Sequence, residues 1–186
     1  MSIARLLLRL RKLQTLVALA ILLSAFRCFV LIDCNSQDLP KPTDYVSDFA
    51  HVLSPQAIHE IDRVCTKLDH SNTDVQIAVV TIPSLNGADI GNYGRDLANS
   101  WGVGRKGSNR GVLVLLAVND HKWRIAVGRG LEDILTDSKA NRIGEKMIPR
   151  LRAKDYDGAV ILVIHEIEQA IPAGMPDMPA PAQKRA

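Results

Sequence analysis

Aromatic residues are scarce in this chain: three Phe, three Tyr and two Trp among 186 residues. A core with so few rings must be built from Val, Ile, Leu and Ala, and a hydrophobic fraction of 47% supplies enough of them. Cysteine is also scarce. Cys28, Cys34 and Cys65 form no CxxC pair, and none of the five histidines stands at zinc-finger spacing, which excludes a structural zinc framework. Those histidines (His51, His59, His70, His121 and His165) are scattered. No nucleophile elbow and no Ser/His/Asp set is visible. Internal repeats are absent as well.

Most of the chain lacks excess charge. The formal net charge is +3, and residues 1–40 account for all of it, with Arg5, Arg9, Arg11, Lys12 and Arg27 against Asp33 and Asp38. A nucleic-acid binder concentrates basic residues on its folded part, so nucleic acid is not an expected partner. Here the basic residues open a leader. Residues 13–26 form an apolar run behind Arg9, Arg11 and Lys12, the pattern of a secretory signal. The run is short for a membrane span, which takes about 20 apolar residues. Apolar character resumes at 28–32, beyond Arg27. Two readings of residues 1–34 stay open: a cleaved signal peptide, or an anchor with Arg27 snorkelling to the outer interface. In the second, the basic end stays cytoplasmic. Either way the rest of the chain is expected in the periplasm or at the cell exterior. A lipoprotein box needs a small residue before its cysteine; Asp33 precedes Cys34, so lipid attachment is not expected.

Residues 35–44 are polar and carry Pro40 and Pro42, which reads as a linker. Residues 45–53 read as extended. Ser54 and Pro55 then open a helix, as N-cap and first helical residue. Its apolar stripe is Ala57, Ile58, Ile61, Val64, Cys65 and Leu68, which makes Cys65 a small buried hydrophobe rather than a nucleophile. Residues 75–82 are β-branched and read as a buried strand. Residues 89–101 return to helical spacing through Ile90, Tyr93, Leu97 and Trp101. A loop with four glycines, at 102–111, leads to 112–118, apolar throughout and therefore a central strand covered on both faces. A turn at 119–121 makes a hairpin with the strand 122–127.

Beyond the hairpin, Thr136 or Asp137 can cap a third helix carrying Ala140, Ile143, Met147 and Leu151, which Pro149 should kink or shorten. Residues 156–171 read as a fourth helix. Residues 172–186, with four prolines, read as a disordered tail. The order α-β-α-β-β-α-α, with a right-handed parallel first unit, predicts a three-layer α/β/α sandwich. Its sheet is small and mixed, with one β-hairpin and helices on both faces.

Four segments in order carry a resemblance: VSDFAHVLS at 46–54, QIAVVTIPS at 76–84, WGVGRKGSNRGVL at 101–113 and RIAVGRGLEDILTD at 124–137. DYDGA at 155–159 adds to them. Together they are similar to the TPM domain family, over roughly residues 45–171. The resemblance implies a small extracytoplasmic α/β/α module. It also implies calcium binding, a part in membrane-protein assembly, repair or regulation, and acid phosphatase activity as the alternative. Many bacterial members continue into a C-terminal membrane helix; this chain ends in a short Pro/Ala/Met tail, so membrane contact is expected through the leader. A membrane or extracytoplasmic protein is the expected partner, and the domain is expected to be monomeric.

The hairpin topology brings 128–137 back toward 102–111, so two glycine-bearing loops should meet at one end of the sheet. Glycine lets backbone approach a ligand closely. Glu132, Asp133 and Asp137 offer the hard oxygens that calcium prefers. The resemblance marks Glu132, Asp137 and Asp48 as acidic positions, which makes these three the candidate ligands for a divalent cation. Each also has a structural reading: Asp137 as a helix cap, Asp48 as the brace of a turn, Glu132 as a solvated charge. The loop at 102–111 holds Arg105, Lys106 and Arg110, but it follows a helix and precedes a strand, the reverse of a P-loop. Nucleotide binding is therefore not expected, and a weak phosphate or carboxylate contact stays open.

Overall fold

The computed structural model describes residues 39–172. The leader and tail readings, and the first part of the linker, lie outside the described residues. Four strands form one sheet in the order β1-β2-β3-β4: β1 (Val46–Asp48), β2 (Gln76–Ile82), β3 (Gly111–Ala117) and β4 (Lys122–Val127). The pairs β1–β2 and β2–β3 are parallel, and β3–β4 is an antiparallel hairpin. Among the described residues the α-helices are α1 (Pro55–Asp69), α2 (Ile90–Trp101), α3 (Asp137–Glu145), α4 (Ile148–Arg152) and α5 (Tyr156–Ala170), with a short 3-10 turn at Arg129–Leu131.

Strand alternation divides the core in two. Ile77, Val79, Val112, Val114 and Ile125 point to one face, where α1, α3 and α5 bury Ile61, Val64, Ala140, Ile143, Val163 and Ile167 against them. Ala78, Val80, Leu113 and Leu115 point to the other, beneath Leu97 of α2. Each fully buried Leu or Ile contributes roughly 1.5–3 kcal/mol of transfer free energy. The core is thus aliphatic on both sides, and the sandwich has helices on both faces of the mixed sheet.

The helix ends follow from local chemistry. The Ser54 hydroxyl accepts from the Ala57 N–H at 3.2 Å, with Pro55 in the first turn of α1. Asp89 caps α2 through the Asn92 N–H at 2.9 Å, and Gly102 ends that helix in the left-handed region at φ 65°. Asp155 caps α5 through the Gly158 N–H at 2.9 Å.

Three segments differ from the sequence reading. The extended stretch at 45–53 contains only a three-residue strand, because the chain turns immediately after Asp48. The third helix is shortened, as expected from Pro149, but the remainder forms a helix of its own: α3 ends at Glu145, and Pro149 falls in the first turn of a separate α4, where its missing N–H leaves no bond unmade. The latter part of the expected linker lies against the domain. The Trp101 indole N–H donates to the Pro40 carbonyl at 2.7 Å, and Leu39 packs against the same α2-face core as Phe49 and Trp101. Among the described residues no helix is long and apolar enough to cross a membrane.

Candidate functional site

The loops at 102–111 and 128–132 meet at the sheet end defined by the start of β3 and the end of β4. The Gly128 N–H donates to the Gly111 carbonyl at 2.7 Å, and the Gly130 N–H donates to the Asn109 carbonyl at 3.1 Å. The fit is backbone to backbone. A side chain on Gly111 would run into the Val103 carbonyl, one on Gly128 into the Asn109 carbonyl, and one on Gly130 into the Ser108 carbonyl. Only glycine permits this closeness, and it fixes the two loops relative to each other.

Above this junction lies an open cleft of about 430 Å³. Arg95, Ala98 and Asn99 of α2 form one wall; Val103 and Asn109 come from the first loop; Gly128, Arg129 and Glu132 come from the second. Leu113 and Ala126 form an apolar floor. Arg95, Arg129 and Glu132 are exposed, and none of them takes part in an ion pair among the described residues. Charges of both signs therefore share one cleft without neutralising each other.

The three candidate metal ligands are not brought together. Asp48 pairs in register with Thr81, which aligns with Leu116 and so with Trp123 at the start of β4. Glu132 follows the far end of β4, where Val127 aligns with Val112 and Ile77. Thr81 and Ile77 are four residues apart, which is about 13 Å along a strand, before three strand spacings are crossed. Both Asp48 oxygens are engaged: the Val52 and Leu53 N–H groups donate to them at 3.2 and 2.9 Å, and the Thr81 hydroxyl donates as well. Asp48 thus braces the turn after β1. Asp137 is the exposed first residue of α3, where a carboxylate suits the helix dipole, and Thr136 is the cap, accepting from the Lys139 N–H at 3.2 Å. Among the described residues no group of three or more His, Cys, Asp or Glu side chains is placed to hold a metal ion. The residues present do not fit the expected three-ligand calcium site, and of the three only Glu132 lines the cleft.

The basic residues of the first loop are also divided. Arg105 reaches back to Asp74 at 2.7 Å and Asp69 at 3.4 Å, and the buried Arg110 donates to the Thr73 carbonyl at 3.1 Å. They fasten the loop to the end of α1 and the approach to β2. The cleft instead uses Arg95, Asn99, Asn109 and Arg129, which sequence reasoning did not single out. Arg95 and Asn99 lie one helical turn apart on α2, a spacing that any solvated helix face shows.

Outside the cleft, Cys65 and Tyr45 are shifted by structural causes. Burial pushes the Cys65 thiol up to about 12, so it stays protonated, with Asp62 and Asp44 adding to the effect. The Tyr45 phenol is pushed up to about 12, first by its bond to Asp69 at 2.7 Å and then by burial.

This geometry can be set beside known proteins. The family model described as TPM domain matches residues 46–170. The chain belongs to the TPM domain family. It is 25% identical over 139 residues to the UPF0603 protein YdjH of Bacillus subtilis (strain 168), covering 75% of this chain and 52% of that protein. The chain therefore spans about half the length of this curated relative. The solution structure of the N-terminal domain of a P. gingivalis protein superposes with a TM-score of 0.64 at 30% identity, covering 69% of this chain and 82% of that one. The N-terminal domain of the cg2496 protein from Corynebacterium glutamicum gives a TM-score of 0.58 at 17% identity, covering 80% of this chain and 95% of that one. At that identity the likeness speaks for the fold alone.

Proposed function

We propose that this TPM domain is an exported binding module that contacts a membrane or extracytoplasmic protein through the cleft above the glycine junction, in the assembly, repair or regulation of that protein. One observation carries the reading. Two loops locked backbone to backbone hold Asn109, Arg129 and Glu132 opposite Arg95 and Asn99 of α2, around an apolar floor; Arg95 bonds only the neutral Asn92 side chain, at 3.4 Å, and none of the three charged groups is in an ion pair among the described residues. Pre-formed, unneutralised polar groups around a small apolar patch are what recognition of a polypeptide segment requires. The acid phosphatase alternative gains less from this site, since its lining offers no Ser, Cys or His and a single carboxylate. Calcium is left out of the reading because Asp48 and Glu132 stand at opposite ends of the sheet.

The test is site-directed photo-crosslinking in cells exporting the full chain. A photoreactive residue at Asn99 should capture a membrane or extracytoplasmic protein, and the same residue at exposed Arg152, outside the cleft, should not. Reversing Arg95 and Arg129 to Glu should abolish the adduct. An adduct that is absent, or indifferent to charge reversal, would reject the cleft as the contact site. Hydrolysis of p-nitrophenyl phosphate by the purified chain, lost in the same double variant, would favour the phosphatase.

A further inference from the structure

Resting on that reading of the cleft, we infer that its ligand is the free C-terminal carboxylate of a polypeptide chain. The cleft carries two guanidinium groups, Arg95 and Arg129, and one carboxylate, Glu132. Its formal charge is therefore +1, which matches a monoanion. A phosphomonoester carries nearly two negative charges at neutral pH and would meet Glu132 as a like charge. A chain terminus brings one negative charge, and the peptide N–H groups just before it are donors that Glu132 can accept from.

The remaining lining fits the same ligand. Guanidinium groups bind carboxylates through paired N–H donors, an arrangement stronger than neutral hydrogen bonds. Asn99 and Asn109 each offer an amide that can both donate and accept, which suits the last peptide units of a chain. Leu113 and Ala126 give an apolar floor for a terminal side chain. The cleft is open and measures about 430 Å³, within the usual range for a small-ligand site and large enough for a few residues of a chain end. The glycine junction keeps Arg129 and Glu132 on a backbone fixed against the Asn109 backbone, so little ordering is needed when the ligand arrives.

The experiment uses the purified, isotope-labelled full chain in detergent. It is titrated with an equimolar pool of N-acetyl tetrapeptides ending in a free carboxylate, with the same pool amidated, and with inorganic phosphate. The free-acid pool should move the amide signals of Gly111, Gly128 and Arg129. The amidated pool should bind about tenfold more weakly, the scale expected when a charge-assisted pair is lost. Phosphate should bind more weakly than the free-acid pool. Arg129→Gln and Arg95→Gln, both at exposed positions, should keep the spectrum of the folded domain and lose the preference for acid over amide. Glu132→Gln should raise phosphate affinity relative to the free-acid pool. Equal binding of acid and amide, tighter binding of phosphate, or unmoved cleft signals would each overturn the proposal; so would a Glu132→Gln chain whose phosphate-to-acid ratio is unchanged. If crosslinking at Asn99 still depends on Arg95 and Arg129 while the peptide pool fails, only the carboxylate assignment falls and the contact site stands.

Discussion

The ring edge of Trp123 occupies the space where a side chain on Gly144 would stand. Trp123 lies on the β4 edge of the sheet and Gly144 in the last turn of α3, so this contact sets how closely the helix approaches the sheet. An alanine at 144 would gain helix propensity of about 1 kcal/mol, but its methyl group would have to displace an indole. Overpacking of this kind costs typically 1–3 kcal/mol, so Gly144→Ala is expected to lower stability on balance. Urea denaturation at unchanged m-value measures it, and a midpoint equal to or above wild type would contradict this packing.

Asp48 should matter for stability rather than for metal. Its carboxylate satisfies two backbone N–H groups and the Thr81 hydroxyl. Asp48→Ala leaves these donors without their partner and should cost on the order of 1–3 kcal/mol. The loss should be the same with and without millimolar calcium. A calcium-dependent rise in wild-type melting temperature that disappears in Asp48→Ala would restore this residue as a ligand.

Asp62 should make one corner of the fold prefer acid. Burial raises its carboxyl above the ordinary range, and Asp44 adds to this; His59 and the Val46 backbone oppose it. One of its oxygens is buried without a hydrogen-bond partner. A carboxyl raised in the folded state binds its proton more tightly there than in the unfolded chain, so its ionisation works against folding above the raised value. That penalty fades as the pH falls toward the ordinary value of 3.8. Asp62→Asn should therefore raise the melting temperature at neutral pH and change it little near pH 4. Equal effects at both pH values would assign the change to packing.

The α1–α5 seam should behave in the opposite sense. The Glu168 carboxyl is held below its ordinary range, first by its bond from Lys67 at 2.8 Å; burial opposes this, and His165 adds to the lowering. A lowered carboxyl contributes stability above its unfolded value of 4.5 that is lost as the pH falls through the lowered one. The Lys67 end of the pair is exposed and screened while Glu168 is half-buried, so Glu168→Gln should cost no more than about 1 kcal/mol at pH 7. The cost should vanish in acid, as thermal melts of both proteins across that range would read. A cost undiminished in acid would mean that the ion pair is not its source.

The elements with a strong apolar period were legible in the sequence. Residues 112–118 could only be a covered central strand, and the stripe through Ile61, Cys65 and Leu68 could only be a buried helix face. The hairpin between β3 and β4 also followed, and with it the meeting of the two glycine loops. The strand Val46–Asp48 was harder to see, because three residues carry no period and its end is fixed by bonds to Val52, Leu53 and Thr81. The site was legible only in part. Loop topology located the end of the sheet where the cleft lies, and the family resemblance marked Glu132. It could not show that Asp48 would be engaged at the opposite end of the sheet. Nor could it show that Arg105 and Arg110 would face away while Arg95 and Arg129 would not. Those outcomes depend on long-range register and on rotamers that no local pattern encodes.

The bond from the Trp101 indole to the Pro40 carbonyl moves the practical boundary of the fold. A chain trimmed to begin at Tyr45 would strip Leu39 and Pro40 from a surface that also holds Phe49 and Trp101, two rings in edge contact at 6.5 Å. The indole donor would turn to water and the rings would be left partly bare. Such a trimmed fragment would carry a sticky spot of the experimenter's making, and self-association seen in it would report on the cut rather than on the protein.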